Sequence, residues 1–455
     1  MSVRARCSLL LLTAIVSSAT PATAQPRRDV SREQARTTPA WARDGVVYEL
    51  NTRTFSATGD FNGIVGRLAD LRALGVTVVW LMPVNPIGEV KKKGTIGSPY
   101  AVKDYYGVNP AFGTKSDLKR LVSEAHRQGL HVILDVVLNH TSWDNELLKT
   151  PAFYQRDAKG QVLSPYDWTD VAALDYKNPA VRKYMLDMLA YWVREFDVDG
   201  FRADVAFNVP TDFWEQARTT LEGVKPGLLM LAEAYEPELV AKAFDFDYSW
   251  PLYHAIADAA TGSASARGIR AAWEDERRAY PRGALHLRFS DDHDEKRAIA
   301  YFGERGALAA SALVFAMDGV PLLYNGQEVG DVTESGAPAL FERLPVFWTG
   351  SERRPEFARF YRTMIPLRAA HAALRQGETT WLSNSDADRV VTFLRRDAGE
   401  EFLVAINMSN RPFAGTVEAN GTFEEIPLLA AQGGPIGLPA LALDAWGVRL
   451  FRRSR

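Results

Sequence analysis

Between about residues 45 and 330 the chain alternates two textures. Short apolar runs bounded by turn residues read as buried strands. They are GVVYEL (45–50), VTVVWLMPV (76–84), LHVILDVVLNH (130–140), GFRADVAF (200–207), LLMLAEAY (228–235), FDFDY (244–248), LHLRFSDDHD (285–294) and GVPLLYNG (319–326). Between them lie stretches such as FNGIVGRLADLRALG and KSDLKRLVSEAHRQG, with apolar residues at helical spacing and a terminal Gly suited to a C-cap. Eight strands alternating with helices require a parallel sheet with crossover connections. The count of eight favours a closed (β/α)8 TIM barrel of the α/β class.

Two connections are long. Residues 85–113 form a Gly/Lys-rich loop after the second strand, and residues 141–177 form a larger excursion after the third, read as a small inserted subdomain. Both leave the C-terminal ends of strands, where barrels of this type build their sites. After the helical PEFARFYRTMIPLRAAHAALRQG (355–377), segments such as RVVTFLRRD, EFLVAINMSN, GTVEA and WGVRLFRR alternate apolar and polar positions. The chain therefore divides into a barrel over 41–376 and a C-terminal antiparallel β-sandwich over 377–455. Residues 25–40 read as a flexible lead-in.

The N-terminus reads differently again. Arg4 and Arg6 precede an apolar run from Leu9 to Val16 and an Ala-Thr-Ala ending at Ala24. That is the pattern of a secretory signal peptide over 1–24, too short in its apolar run to span a bilayer. Its removal takes away Cys7, the single cysteine, so the mature chain has no thiol or disulfide chemistry. No later segment reads as a membrane span. The expected location is periplasmic or extracellular.

Composition adds little to this picture. With 455 residues, 47% of them hydrophobic, the chain can bury a large core and more than one domain. A formal net charge of −3 gives no electrostatic reason to expect nucleic acid or an anionic membrane as partner.

The candidate chemistry lies at the strand ends. In GFRADV, Arg202 and Asp204 are two positions apart in an apolar strand, hence on one face, and buried charges of this kind are paired or used. Glu233 ends the fifth run, Asp291, Asp292, His293 and Asp294 end the seventh, and His140 closes the third. Asp204 and Glu233 are 29 residues apart, about one β/α unit, and Glu233 and Asp294 are 61 apart, about two. All therefore reach one rim. Three carboxylates there suit glycoside hydrolysis. One, Asp204, stays ionised beside Arg202 to attack the anomeric carbon. A second, Glu233, after the apolar LLMLA, keeps a proton for the leaving oxygen, and the third grips hydroxyls and stabilises a cationic transition state. A metal-dependent hydrolase fits less well, because consecutive strand residues cannot all face one ion and no His-x-His follows the first strand.

These motifs resemble the α-amylase superfamily of glycoside hydrolases. DVVLNH (135–140), GFRADVAFN (200–208), LAEAY (231–235) and FSDDHD (289–294) match its four signatures, in order and at the right strands. The resemblance implies Asp204 as nucleophile with Arg202 as partner, Glu233 as acid/base, and Asp294 as transition-state stabiliser beside His293. It implies that His140 contacts the sugar's 6-hydroxyl and that Tyr100 stacks on its ring. It also implies retention through a covalent glycosyl-enzyme, with nucleophile and acid/base carboxyls roughly 5 Å apart. The implied substrate is an α-1,4-glucan or maltooligosaccharide. Transglycosylases, glucosyl isomerases of the trehalose-synthase kind and α-glucosidases share the same carboxylates and remain alternatives.

Departures from the pattern fall around these residues. The Asn that usually precedes His-Asp is Asp292, the Lys-His that often ends the second signature is Phe207-Asn208, and the His two before the stacking Tyr is Ser98. The resemblance implies no cofactor for the chemistry. The family's structural calcium often uses the first-signature Asn, here Asn139, with an acid from the excursion, here Asp170; without the second-signature His, calcium stays open. Arg297 is open between a substrate contact and a pairing with surface acids.

Overall fold

The computed structural model describes residues 28–428 and 435–454. The expected signal peptide and Cys7 lie outside the described residues.

Eight parallel strands close into a barrel: β1 (Val47–Leu50), β2 (Val78–Leu81), β3 (His131–Val136), β6 (Gly200–Ala203), β7 (Leu229–Ala232), β8 (Phe246–Tyr248), β9 (Leu285–Arg288) and β10 (Val320–Tyr324). The order around it is β1-β10-β9-β8-β7-β6-β3-β2. Each predicted run contributes one strand, FDFDY included. The runs are largely apolar because each strand is buried on both faces. Val47, Val78, Ile133, Leu229, Phe246, Leu287 and Leu322 fill the interior. The alternate residues Tyr48, Val79, Leu134, Phe201, Met230 and Leu323 pack outward under the helices. Gly200 opens β6 where no side chain fits: its φ is +150°, and a Cβ would lie 1.9 Å from the Leu229 carbonyl oxygen.

The excursion after β3 is built on a two-stranded antiparallel ribbon, β4 (His140–Ser142) with β5 (Val171–Ala173). His140 thus belongs to β4 and not to the barrel strand, which ends at Val136. The long loop after β2 is stitched to this ribbon through Tyr105 Oη donating to the His140 carbonyl at 2.7 Å and Asn145 Nδ2 donating to that of Val102 at 3.1 Å.

Beyond the helix Ala372–Gln376 come β11 (Glu378–Trp381), β12 (Val390–Arg396), β13 (Glu400–Asn407), β14 (Phe413–Thr416), β15 (Thr422–Ile426), β16 (Pro435–Gly437), β17 (Ala440–Leu443) and β18 (Val448–Ser454). They form a six-stranded sheet, β11-β12-β13-β18-β15-β16, and a two-stranded sheet, β14-β17. Leu394, Leu403, Phe413, Leu441 and Phe451 make a common core from both.

Two expectations are corrected. The described part of the lead-in is not loose: Val30 is buried, Ala35 N–H donates to the Arg282 carbonyl at 3.0 Å, and Arg36 pairs with Glu222 at 2.6 Å and Asp245 at 3.1 Å. Its polarity reads as disorder in sequence because those partners are distant. One later helical segment, Ala298–Ala316, broken at Gly303 where φ is +74°, does have the length and mean hydropathy (1.2) of a membrane span. It is the barrel helix before β10, and 72% of that stretch is buried inside the protein.

Candidate active site

The site grows out of the inward-facing line of residues at the C-terminal ends of the strands. Asp135 on β3 and Arg202 on β6 are paired in register, and the ladder continues past both neighbouring strands: Asp204 N–H donates to Val136 and Glu233 N–H to Ala203, each at 3.0 Å. Asp204 and Glu233 therefore stand side by side, although they are distant in sequence.

Arg202 is wholly buried and organises the acids around it. Its Nη1 donates to both Asp135 oxygens at 2.9 and 3.1 Å and to Asp204 Oδ1 at 3.3 Å, and its Nη2 lies 2.9 Å from Glu233 Oε2. The guanidinium also lies over the Trp80 ring, 5.1 Å from its centroid. Tyr100, on the loop after β2, donates its hydroxyl to Asp135 at 3.0 Å.

A second chain of contacts carries Asp294. His293 Nδ1 bonds Glu49 of β1 at short range, while its Nε2 lies 2.7 Å from Tyr100 Oη and 3.3 Å from Asp294 Oδ2. The His293 and Tyr100 rings are stacked, with centroids 5.4 Å apart. Tyr100 itself is only 8% exposed. Asp294 is the open member, with 35% of its side chain exposed at the mouth. Asp204, Glu233 and Asp294 thus converge on one site. His140 is buried edge-on to Trp168 beside it.

Electrostatics distinguish these groups. Burial pulls His140 down to about 4, so it is a neutral imidazole at neutral pH. His293 behaves oppositely: against burial, Asp294 and Glu49 push it up to about 10, and it stays cationic. For Asp204 the expectation needs correction. Burial and then Glu233 push it well above the usual carboxylate range, and Arg202 opposes them without prevailing, since it is shared with Asp135 and Glu233. Glu233 is raised too, by burial first, with Arg202 pulling it back. Two such acids titrate as a pair that holds one proton over a range where isolated carboxyls are both ionised.

The backbone joins this pairing. Val205 has φ +37° and ψ +49°, a left-handed conformation costly for a β-branched residue. In that conformation its N–H donates to Glu233 Oε2 at 2.7 Å. The following turn, Ala206–Asn208, is tied to Glu233 as well, Ala206 N–H donating to its carbonyl at 3.1 Å. Phe207 is therefore on the Glu233 side of the site, 48% exposed, and Asn208 accepts from Tyr166 Oη at 2.8 Å.

Three residues were not singled out in the sequence: Asp135, Glu49 and Val205. The first two carried the same signal as Arg202, a charge at an inward position of an apolar run. Val205 carried none. Arg297, open in sequence, is buried: its Nη2 donates to Asp331 at 2.9 Å and the Asn325 carbonyl at 2.7 Å, so it pairs internally with no surface acid.

Asn139 and Asp170, the residues considered for calcium, are already engaged by neighbouring side chains. Asp170 is held by the Lys93 ammonium at 3.1 Å, and Asn139 Nδ2 faces His140 Nδ1 at 3.1 Å. Among the described residues no three His, Cys, Asp or Glu side chains are grouped to hold a metal ion. A lysine already neutralises the acid that would bind the ion. Accordingly, dialysis against excess EDTA is expected to leave both the rate and the thermal midpoint unchanged, as followed by reducing-sugar release and scanning calorimetry. A fall in the midpoint reversed by calcium would contradict this.

Comparison with known proteins supports the same picture. The α-amylase catalytic-domain model matches residues 34–160 and 157–363. α-Amylase 2 of Dictyoglomus thermophilum is 26% identical over 430 residues, covering 85% of this chain and 73% of the relative. A noncanonic maltogenic α-amylase from Thermotoga neapolitana superposes with a TM-score of 0.84 at 30% identity, covering 91% of this chain and all of that one. An α-amylase from Lactobacillus plantarum gives 0.80 at 30% identity, covering 91% and 99%. This chain, a glycoside hydrolase, belongs to the α-amylase family.

Proposed function

We infer that the enzyme cleaves α-1,4-glucosidic bonds of starch-type glucans or maltooligosaccharides with retention of anomeric configuration. One observation carries the mechanism: Asp204 and Glu233 meet on the single guanidinium of Arg202, with Asp294 open at the mouth beside them. In the reactive form the proton shared by the pair sits on Glu233. Asp204 attacks the anomeric carbon while Glu233 gives that proton to the departing glycosidic oxygen, leaving a glycosyl ester on Asp204. Glu233, now ionised and steadied by Val205 N–H, takes a proton from water, whose oxygen displaces Asp204. Asp294 holds the hydroxyls of the same sugar and offsets charge on the oxocarbenium-like transition state, with cationic His293 orienting it. Neutral His140 serves as a hydroxyl contact, and Tyr100 as the ring platform.

The substrate class is supported by relatives described as α-amylase, cyclomaltodextrinase and maltogenic amylase. The leader sequence adds export to this reading. The test is product analysis of the chain lacking residues 1–24, on starch, maltotriose, pullulan, sucrose and trehalose. Release of short maltooligosaccharides or glucose in the α-configuration, by chromatography and NMR, is the expected result. Longer oligosaccharides than those supplied would favour a transglycosylase, and interconversion of maltose and trehalose an isomerase; β-anomers would defeat the mechanism.

A further inference from the structure

The turn that presents Asp294 is held from below by an acid with no part in the proposed chemistry. Asp292 is fully buried. Its Oδ1 accepts the backbone N–H groups of Asp294 at 3.1 Å and of Glu295 at 2.9 Å. Its Oδ2 is equally buried, and among the described residues no group bonds it. The ionisable groups that act on it are Glu49 on β1 and His293, Asp294 and Glu295 on its own turn. Tyr248 on β8, Tyr253 on the helix Trp250–Thr261 and Tyr324 on β10 share its field. His293 is the one cation of that set, and it is already engaged by Glu49 and Asp294.

We propose that Asp292 is a positioning residue carried as a neutral carboxylic acid: Oδ1 fixes the backbone that presents Asp294, and the retained proton keeps a further negative charge off the rim. An ionised carboxylate here would bury an unpartnered oxygen beside two other acids, the costliest arrangement for that group. The neutral acid leaves at most one weak donor unmet. Burial, Asp294 and Glu49 all push its titration well above the ordinary carboxylate range. In this form Asp292 has the shape, the acceptor and the charge of the Asn usual at its position in the resembling signature. The departure in sequence adds an acid without adding an anion.

This rests on the reading of Asp294 as the sugar-holding carboxylate, so the test has one arm that needs no turnover. In the infrared difference spectrum of wild type minus D292N at pH 7, a protonated-carboxyl C=O band is expected. Its absence between two folded proteins overturns the proposal whatever the substrate proves to be. The kinetic arms use maltooligosaccharide. D292A is expected to lower kcat at least about tenfold, and D292N to recover most of that loss, because the amide oxygen can accept the same two N–H groups. The alkaline midpoint of kcat/KM is expected to stay within about 0.3 pH unit of wild type in D292N, since no charge is removed. Loss of an ionised carboxylate from this cluster would move that midpoint down by of order one unit. A larger downward shift, or D292A turning over like wild type, would sink the idea. Absence of glucan hydrolysis in wild type with the infrared band present would instead discard the substrate reading alone.

Discussion

Replacing Asp204 by Asn is expected to lower kcat on maltooligosaccharides by about four orders of magnitude, because an amide cannot form the glycosyl ester and water must attack unaided. The variant should fold. Asn has the same shape, and Arg202 keeps its bonds to Asp135 and its contact with Glu233. The effect on stability has a definite sign. The Asp204 pKa is raised in the folded state, so its native environment favours folding at low pH and that contribution is lost as pH rises. At neutral pH the ionised form costs stability, and its removal is expected to leave the thermal midpoint equal or higher, as seen at other strained active sites. Scanning calorimetry together with single-turnover trapping by an activated maltosyl fluoride would check both halves. Turnover within tenfold of wild type, or a trapped ester in the variant, would remove Asp204 from the nucleophile's role.

The barrel was legible in sequence because double burial leaves a plain signal. Runs such as VTVVWLMPV and LLMLAEAY are apolar on both faces, and each became one strand. Period two also placed Arg202 and Asp204 on one face, as their 3.3 Å contact shows. The limits of that reading are equally physical. Which carboxylate Arg202 favours depends on cross-strand register, and register puts Asp135 opposite it. Thus Arg202 makes two bonds, at 2.9 and 3.1 Å, to an acid in a different strand and a longer one, at 3.3 Å, to Asp204. The sequence places His140 at the end of the third strand because LHVILDVVLNH has no internal break. The break comes after Val136, where the chain turns to pair with a segment some thirty residues later, and no local pattern encodes that partner. The lead-in reads as loose for the same reason: Arg36 looks solvated until Asp245 and Glu222 are brought to it.

The Glu233→Gln variant separates the acid's role from the nucleophile's. On unactivated maltooligosaccharides it should lose about three to four orders of magnitude, since no proton reaches the leaving oxygen. On α-maltosyl fluoride the first step needs no such proton, so formation of the ester on Asp204 should remain fast while its hydrolysis, which needs Glu233 as base, slows and the ester accumulates. Azide, a nucleophile that requires no base, should restore turnover and yield the glycosyl azide. The pH profile gives an independent sign. In wild type the active form holds one proton between Asp204 and Glu233, and activity is lost as pH rises past the upper titration of the pair. Burial and mutual repulsion push that titration up, so the alkaline limb should lie above the ordinary carboxylate range. In Glu233→Gln with the fluoride, formation of the ester depends only on Asp204 being ionised, so the alkaline limb should vanish and the burst rate should rise to a plateau with pH. A burst rate that still falls on the alkaline side would mean that the essential proton belongs to another group.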